Sequence, residues 1–501
     1  MDEKLKQLLN DKKCVAVACN QWGDTGKGKF VDLLSEWADI IIRGTGGANA
    51  GHTIKLNNKE YIFHLIPSGI LHDTQGKINV IGRGVAFDAN ILLNEINVLE
   101  KEGIIVKNLK LSHQASLVLP YHLLVDRIKD KKSKIGTTGR GIGPLYSDYV
   151  SRVGLFVNDI FNPELFKQKL KKFLESKKVV LDSFDKDMAK EVLSHEHLLN
   201  GRFYNEKTIL DFDAMVDYYT NEVANKLKDF IIDLDVFVKD ALKNNKKILL
   251  EGAQGLLLSI DYGTTKYQTS SDCSIEGLAK GCSLKEEDVD LVFGITKAFY
   301  MTRVGNGPFP TELGGKKSEE YCASGYNKDY EKEQYKDVNE LLNSDDDFKL
   351  GIGFRFLGSE YGATTGRTRR TGWLDLVALK YATAINKNNI VLTKVDVLTG
   401  VKKIKVCVAY KYNGEDVFYA GKTLKKGDII NYFPRFSEIL YDCIPVYKEF
   451  DGWNEDIRNI RDYEKLPLNL KNLINFTEEF ISGKVIIVSV GPDRSENIIK
   501  V

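Results

Sequence analysis

Short continuous runs of Val, Ile and other small or branched apolar residues constrain this chain more than any other feature. They are "CVAVAC" (14–19), "ADIIIRG" (38–44), "KINVIGRG" (77–84), "KKILLEG" (246–252), "VDLVFGIT" (289–296), "NIVLTKVD" (389–396) and "KVIIVSVG" (484–491). Each is continuous rather than alternating, which is the pattern of a strand buried on both faces. After the first run, "KGKFVDLLSEWA" (27–38) places apolar residues at helical spacing. Such strands alternating with helices predict an α/β fold: a large, mainly parallel central sheet flanked by helices, with a helical subdomain and small insertions.

The helical subdomain is expected between 155 and 245. There "PELFKQKLKKFLESKK" and "AMVDYYTNEVANKLKDFIIDLDVFVKDAL" carry apolar residues three and four apart with charges between them. The expected organisation is a nucleotide-binding α/β core begun by 1–154, the helical part 155–245, and the remainder of the core in 246–501. Within the last, 314–358 is rich in lysine and aspartate and reads as a surface insertion, partly helical and solvated. With 501 residues the chain can bury a sizeable core, and its net charge of +1 gives no global field for nucleic acid or an anionic membrane. No stretch approaches the roughly 18 continuous apolar residues of a membrane span, and "MDEKLKQLLNDKK" has neither signal nor transit character. The 7 cysteines are scattered without CxxC pairs, which argues against a disulfide framework or structural zinc and fits a reducing compartment. A cytoplasmic protein is expected.

Glycine-rich loops carry the chemistry. "GDTGKGK" (23–29) joins the first strand to a helix, where free N–H groups and the helix dipole converge on one spot. It is P-loop-like without matching the Walker pattern, because Gly28 follows Lys27 where Ser or Thr would hold magnesium. A glycine turn alone can merely redirect the chain. Three more loops shift the balance: "RGTGGANAGHT" (43–53) ends in His52, "IGTTGRGIGP" (135–144) carries Arg140, and "GATTGRTRRTGW" (362–373) sets Arg367, Arg369 and Arg370 beside threonines. Guanidinium forks suit carboxylates and phosphates. In "LTKVDVL" (392–398), Asp396 can accept from the N1–H and 2-amino edge of guanine, so the T-K-x-D spacing resembles the guanine element of GTP-binding proteins.

Taken together, "QWGDTGKGK" (21–29), "NAGHT" (49–53), "HLIPSGIL" (64–71), "GTTGRGIGP" (136–144), "EGAQG" (251–255), "TRVGNGPFPTEL" (302–313), "GATTGRTRRTGWLD" (362–375), "LTKVDVL" (392–398) and "VGPDR" (490–494) resemble the adenylosuccinate synthetase family, in its order and over nearly the whole chain. The resemblance implies a GTP-dependent carbon–nitrogen ligase. It would couple inosine monophosphate (IMP) to L-aspartate through a 6-phosphoryl intermediate, with Mg2+. It implies catalytic roles for Asp24 as base, His52 at the phosphoryl group and Gln254 at the purine. GTP would lie on Gly23, Asp24, Thr25, Gly26, Lys27, Gly28 and Lys29, on Gly51, His52 and Thr53, on Arg369, on Lys394, Val395 and Asp396, and on Ser489, Val490 and Gly491. IMP would share Asp24, Thr25, Gly26 and Lys27 and add Asn49, Ala50, Gly51, His52, Thr138, Gln254, Thr269 and Arg367. Arg152 would reach the IMP phosphate across a homodimer. Ala363, Thr364, Thr365, Gly366, Arg367, Thr368 and Arg369 would close over aspartate, and Asp24 with Gly51 would hold the metal.

The match departs from the family in places. Thr25 stands where Glu is usual, Thr368 replaces an arginine, Ala48 stands for a frequent His and Lys266 for Pro, and insertions near 190–206 and 314–358 lengthen the chain. One rival reading is a sister activity that uses dGMP in place of IMP. Its members share Thr after the base position but lack the aspartate, which Asp24 supplies here. The other is a GTP-binding paralogue without catalysis, against which Asp24, His52, Gln254 and Arg367 all stand.

Overall fold

The apolar runs all become strands of one ten-stranded sheet. A computed structural model of the chain describes residues 1–56, 59–104, 106–133, 136–362 and 366–500. In chain order the strands are β1 (Cys14–Cys19), β2 (Ile40–Arg43), β3 (Ile78–Ile81), β4 (Leu109–Ser112), β5 (Ile231–Ile232), β6 (Ile248–Glu251), β7 (Leu291–Lys297), β8 (Asn389–Thr393), β9 (Lys484–Ser489) and β10 (Asn497–Ile499). Their spatial order is β5-β4-β3-β2-β6-β1-β7-β8-β9-β10. Neighbours run parallel except β10, which is antiparallel to β9.

The continuous apolar character of β1 follows from cover on both sides. Val15 and Val17 pack with Phe30, Val31 and Leu34 of helix Lys27–Ser35. Cys14, Ala16 and Ala18 point the other way, onto Leu234 and Val238 of helix Leu234–Lys243 and Ile275 and Leu278 of helix Ile275–Gly281. Each fully buried Val, Leu, Ile or Phe contributes about 1.5–3 kcal/mol, so neither layer is dispensable. Gly44, Gly82 and Gly84 follow the ends of β2 and β3 and meet Gly281, the last residue of helix Ile275–Gly281. A Cβ on Gly281 would lie 1.9 Å from the Gly44 carbonyl oxygen, and one on Gly84 2.3 Å from the same atom, while one on Gly82 would meet the Gly281 carbonyl oxygen at 2.5 Å. Here backbone packs directly on backbone.

The region after 155 is mainly helical. Helix Pro163–Asp182 opens with Asn162 capping the Leu165 N–H and proline in its first turn. Its Phe166, Leu170 and Phe173 share one hydrophobic cluster with Leu109, Leu111 and Leu117 of the preceding segment. A second, five-stranded sheet, not anticipated from the sequence, contains Tyr300–Arg303, Arg370–Asp375, Lys403–Tyr412, Ile429–Ile430 and Cys443–Asp451. Several of its strands are half-exposed, and no continuous apolar run announces them.

The segment 314–358 corrects the expectation of a solvated excursion. It is helical over Gly315–Ala323, Lys328–Gln334, Val338–Leu342 and Asp347–Gly358. Its charges lie largely on outer faces, whereas Leu342, Leu350 and Phe354 pack against Leu313, Tyr300 and Trp373. Among the described residues no helix is long and apolar enough to cross a membrane.

The glycine contacts give a direct test. Gly281→Ala must push the Gly44 backbone away, and it should lower unfolding free energy by about 1–3 kcal/mol in denaturant titration.

Candidate active site

Ligands of open parallel sheets bind outside the carboxyl ends of the strands, where the strand order reverses. Here β2 to β5 succeed one another outward on one side of β1 and β7 to β10 on the other, with β6 inserted between β1 and β2, so the reversal falls around β1, between β6 and β7. The loop that follows turns on Gly23, Asp24 and Gly26, with φ of 85°, 49° and 88°. Glycine adopts this left-handed backbone freely, and aspartate tolerates it. Helix Lys27–Ser35 begins at Gly26 without a side-chain cap, which leaves its first N–H groups and positive dipole end open to an anion. Gly28 is required by contact, since a Cβ there would sit 2.9 Å from the Thr53 carbonyl oxygen. Strand His52–Leu56 can therefore lie against the start of the helix.

A carboxylate stands in this positive setting. Asp24 is ion-paired with Arg369. Burial opposes its ionisation, but Arg369, Lys297 and Lys27 outweigh it and hold the carboxyl below its ordinary pKa. Lys297 is fully buried and donates to Thr302 Oγ1 and Glu360 Oε2, each at 2.6 Å. Burial brings its pKa down to about 8. Glu360 accepts from Lys394 Nζ at 2.7 Å and Tyr300 OH at 2.6 Å on its other oxygen. Burial disfavours its charge, yet the two lysines hold it at about 2.

His52 and Gln254 are organised by neighbours from other loops. His52 Nδ1 bonds Glu251 at the end of β6, and Glu251 also accepts from the Ser68 N–H at 2.8 Å and hydroxyl at 2.7 Å. Although burial works against it, His52, Arg43 and Ser68 keep Glu251 ionised, with its pKa lowered. An ionised carboxylate only accepts, so the shared proton belongs on Nδ1. Burial lowers the His52 pKa, and its buried Nε2 has no partner among the described residues. The Gln254 carbonyl accepts from Lys27 Nζ at 2.6 Å, and its side-chain amide donates to Asn49 Oδ1 at 3.0 Å. Asn49 in turn reaches Thr269 Oγ1 at 3.5 Å. Further along the edge, Lys29 Nζ donates to Ser489 Oγ at 2.7 Å and the Gly491 carbonyl at 2.8 Å. Burial reduces the Lys29 pKa to about 8 against the pull of Glu496, Asp396 and Asp493.

The fold thus brings Asp24, Lys27, Lys29, His52, Asn49, Gln254, Thr269, Arg369, Lys394, Ser489 and Gly491 to one edge of the sheet. Thr138, Arg152 and Arg367 are exposed, and Arg152, with φ of 62°, ends the turn after helix Ile142–Val150. Ala363, Thr364 and Thr365 lie outside the described residues. Arg370, read above with the anion-binding arginines, is instead buried and committed to Glu312 and the Gly307 carbonyl, because it begins a strand of the second sheet. Glu251, Ser68, Lys297 and Glu360 escaped the sequence reading. "EGAQG" and "HLIPSGIL" contained the first two, but nothing local marks the others as site residues.

The adenylosuccinate synthetase family model matches residues 16–498. The chain belongs to that family. It is 41% identical over 485 residues to an adenylosuccinate synthetase of Clostridium kluyveri, covering 96% of this chain and 97% of that one. It is 40% identical over 488 residues to one of Thermodesulfovibrio yellowstonii, covering 97% and 98%. The structure of fully ligated adenylosuccinate synthetase from Plasmodium falciparum superposes with a TM-score of 0.75 at 35% identity, over 98% of this chain and 100% of that one. A cyanophage S-2L succinoaminodeoxyadenylate synthetase, with a TM-score of 0.51 at 16% identity over 97% and 95%, shares the fold alone.

Within this family site, Glu251→Gln should release the His52 ring from its fixed tautomer. We expect kcat to fall more than about tenfold while the fold stays intact by circular dichroism.

Proposed function

We propose that Asp24, His52 and Gln254 carry the reaction of this GTP-dependent carbon–nitrogen ligase, which joins IMP and L-aspartate into adenylosuccinate and releases GDP and phosphate in the purine pathway to AMP. Asp24 takes the N1 proton of the purine, and the 6-oxygen attacks the γ-phosphate. The aspartate amine then attacks C6 of the 6-phosphoryl intermediate and phosphate leaves. Asp24 is the observation that carries this assignment: an ionised carboxylate on left-handed backbone, held among Arg369, Lys297 and Lys27 at an open helix N-terminus. Catalysis of this kind rests on positioning and charge neutralisation.

Other residues follow the same logic. An incoming phosphoryl oxygen beside His52 Nε2 adds a second anion to Glu251 and favours the imidazolium, which can then donate. Gln254, supported by Asn49, addresses the purine. Lys29, Ser489 and Gly491 line the GTP side with Asp396 at the guanine. Arg367 and the neighbouring loop take the aspartate carboxylates. The Asp24 carboxylate and Gly51 carbonyl are hard oxygen donors of the kind Mg2+ accepts, and Asp24 is held ionised, so the two fit the ion, with phosphates and water as its remaining ligands. Bound there, Mg2+ would neutralise charge between the carboxylate and the phosphates. Arg152, exposed beside Tyr149 and Val150, supports a homodimer in which it reaches the nucleotide phosphate of the other copy. The 7 unpaired cysteines support a cytoplasmic setting. The alternative nucleotide, dGMP, is bound by the cyanophage protein, whose likeness here extends only to the fold.

The assignment is tested by IMP consumption with aspartate, Mg2+ and either GTP or ATP; equal rates would remove Asp396 from the guanine site. Asp24→Asn should lower kcat by about 10²–10⁴-fold, with binding of a fluorescent GTP analogue largely retained. A carboxyl with a lowered pKa stays ionised as pH falls, so the acid limb of kcat/KM for IMP should lie below the ordinary carboxylate range. Arg369→Gln removes one of the opposing cations and leaves burial less opposed, so that limb should move to higher pH.

A further inference from the structure

The 314–358 insertion packs against both flanks of the arginine loop. Tyr361 and Gly362 lead into that loop, and Gly366, Arg367, Thr368 and Arg369 lead out. The flanks are tied together by hydrogen bonds from Gly362 N to the Arg367 carbonyl at 2.8 Å and from Gly366 N to the Gly362 carbonyl at 2.7 Å. Tyr361 bridges Thr368 in antiparallel fashion. On the outer side, Thr368 N donates to the Tyr326 carbonyl at 3.0 Å, and Asn327 forms an antiparallel bridge with Arg367. Residues 326 and 327 of the insertion thus act as a short extra strand along the outgoing flank.

One carboxylate holds this arrangement. Glu331 of helix Lys328–Gln334 is 0% exposed and faces Arg355 of helix Asp347–Gly358, itself 1% exposed. Arg355 donates to Glu331 Oε1 through Nε at 2.9 Å and Nη2 at 2.6 Å. The second oxygen, Oε2, accepts from Tyr361 OH at 2.8 Å, and Arg355 Nη1 reaches the Arg369 carbonyl at 3.4 Å. Tyr361 on one flank and Arg369 on the other are therefore both referred to Glu331. Thr368, which stands where the family resemblance expects another arginine, is 6% exposed next to Cys322 of the insertion. A guanidinium there would have to be buried beneath the insertion. The chain has a brace where its relatives' pattern has a cation.

We propose that the insertion is a positioning device for the aspartate-binding loop, and that Glu331 is the positioning residue on which it hangs. This rests on the reading of Arg367 and its neighbours as the aspartate site. A buried ion pair contributes little net stability, whereas removing one partner leaves the other uncompensated; its value here is geometric, fixing two helices and two loop flanks at one point.

The test separates this inference from the reading beneath it by steady-state kinetics on the full chain with all three substrates. Arg367→Ala should raise the KM for aspartate while leaving that for GTP in place; failure of that effect would remove the aspartate reading itself. Given that effect, Glu331→Gln should raise the aspartate KM about tenfold and Tyr361→Phe about threefold, with kcat and the GTP and IMP KM values within about twofold. Unchanged aspartate KM in both variants would overturn the proposal, as would a parallel rise of all three KM values with a lowered melting temperature. If Glu331→Gln does not fold, Tyr361→Phe, which loses one hydroxyl, decides alone.

Discussion

Taking a lysine or glutamate out of water costs several kcal/mol per ion unless its charge is matched at close range, and the edge of this sheet is built around that requirement. Lys297 and Lys394 share Glu360, Arg369 meets Asp24, and His52 with Arg43 faces Glu251. Each partner comes from a different strand end or loop. None of these loops can shift far without stranding a charge in another, so the electrostatic match fixes the loops in mutual register.

The same match prepares chemistry. Asp24 is kept ionised by cations, Arg369 first among them, of the kind that also suit phosphates. Asp24 thereby holds its charge beside cations that an arriving anion would also attract. The neutral, Glu251-anchored His52 is poised in the complementary sense, since its proton affinity rises when negative charge comes near.

Much of this was legible in the residues. The central strands read as continuous apolar runs because both faces are covered; Lys29 and His52 were marked by the glycines around them, while Asp24 and Gln254 were singled out only by the family resemblance. Ile231–Ile232 and Asn497–Ile499 were not seen because strands of two or three residues leave too little pattern, and Leu109–Ser112 because Lys110 and Ser112 break its apolar run. The five-stranded sheet was missed because "KIKVCVAYKY" mixes charge with apolar residues along a half-exposed ribbon. The insertion misled for a different reason: its lysines and aspartates are mostly solvated, but the two charges that matter, Glu331 and Arg355, find each other across helices that no local spacing connects. Glu360 and Lys297 are likewise single residues whose meaning is purely spatial.

The ends of the central sheet carry a last consequence. A wide sheet with bare outer strands would be a template for edge-to-edge polymerisation. Here one margin is a two-residue strand, Ile231–Ile232, and the other is the three-residue strand Asn497–Ile499 turned against its neighbour. The longer outer ribbon of the smaller sheet, Cys443–Asp451, carries Pro445, Lys448 and Glu449. Fibre-like growth through backbone pairing is thereby discouraged, and copies of this chain that associate are steered to meet through side-chain surfaces.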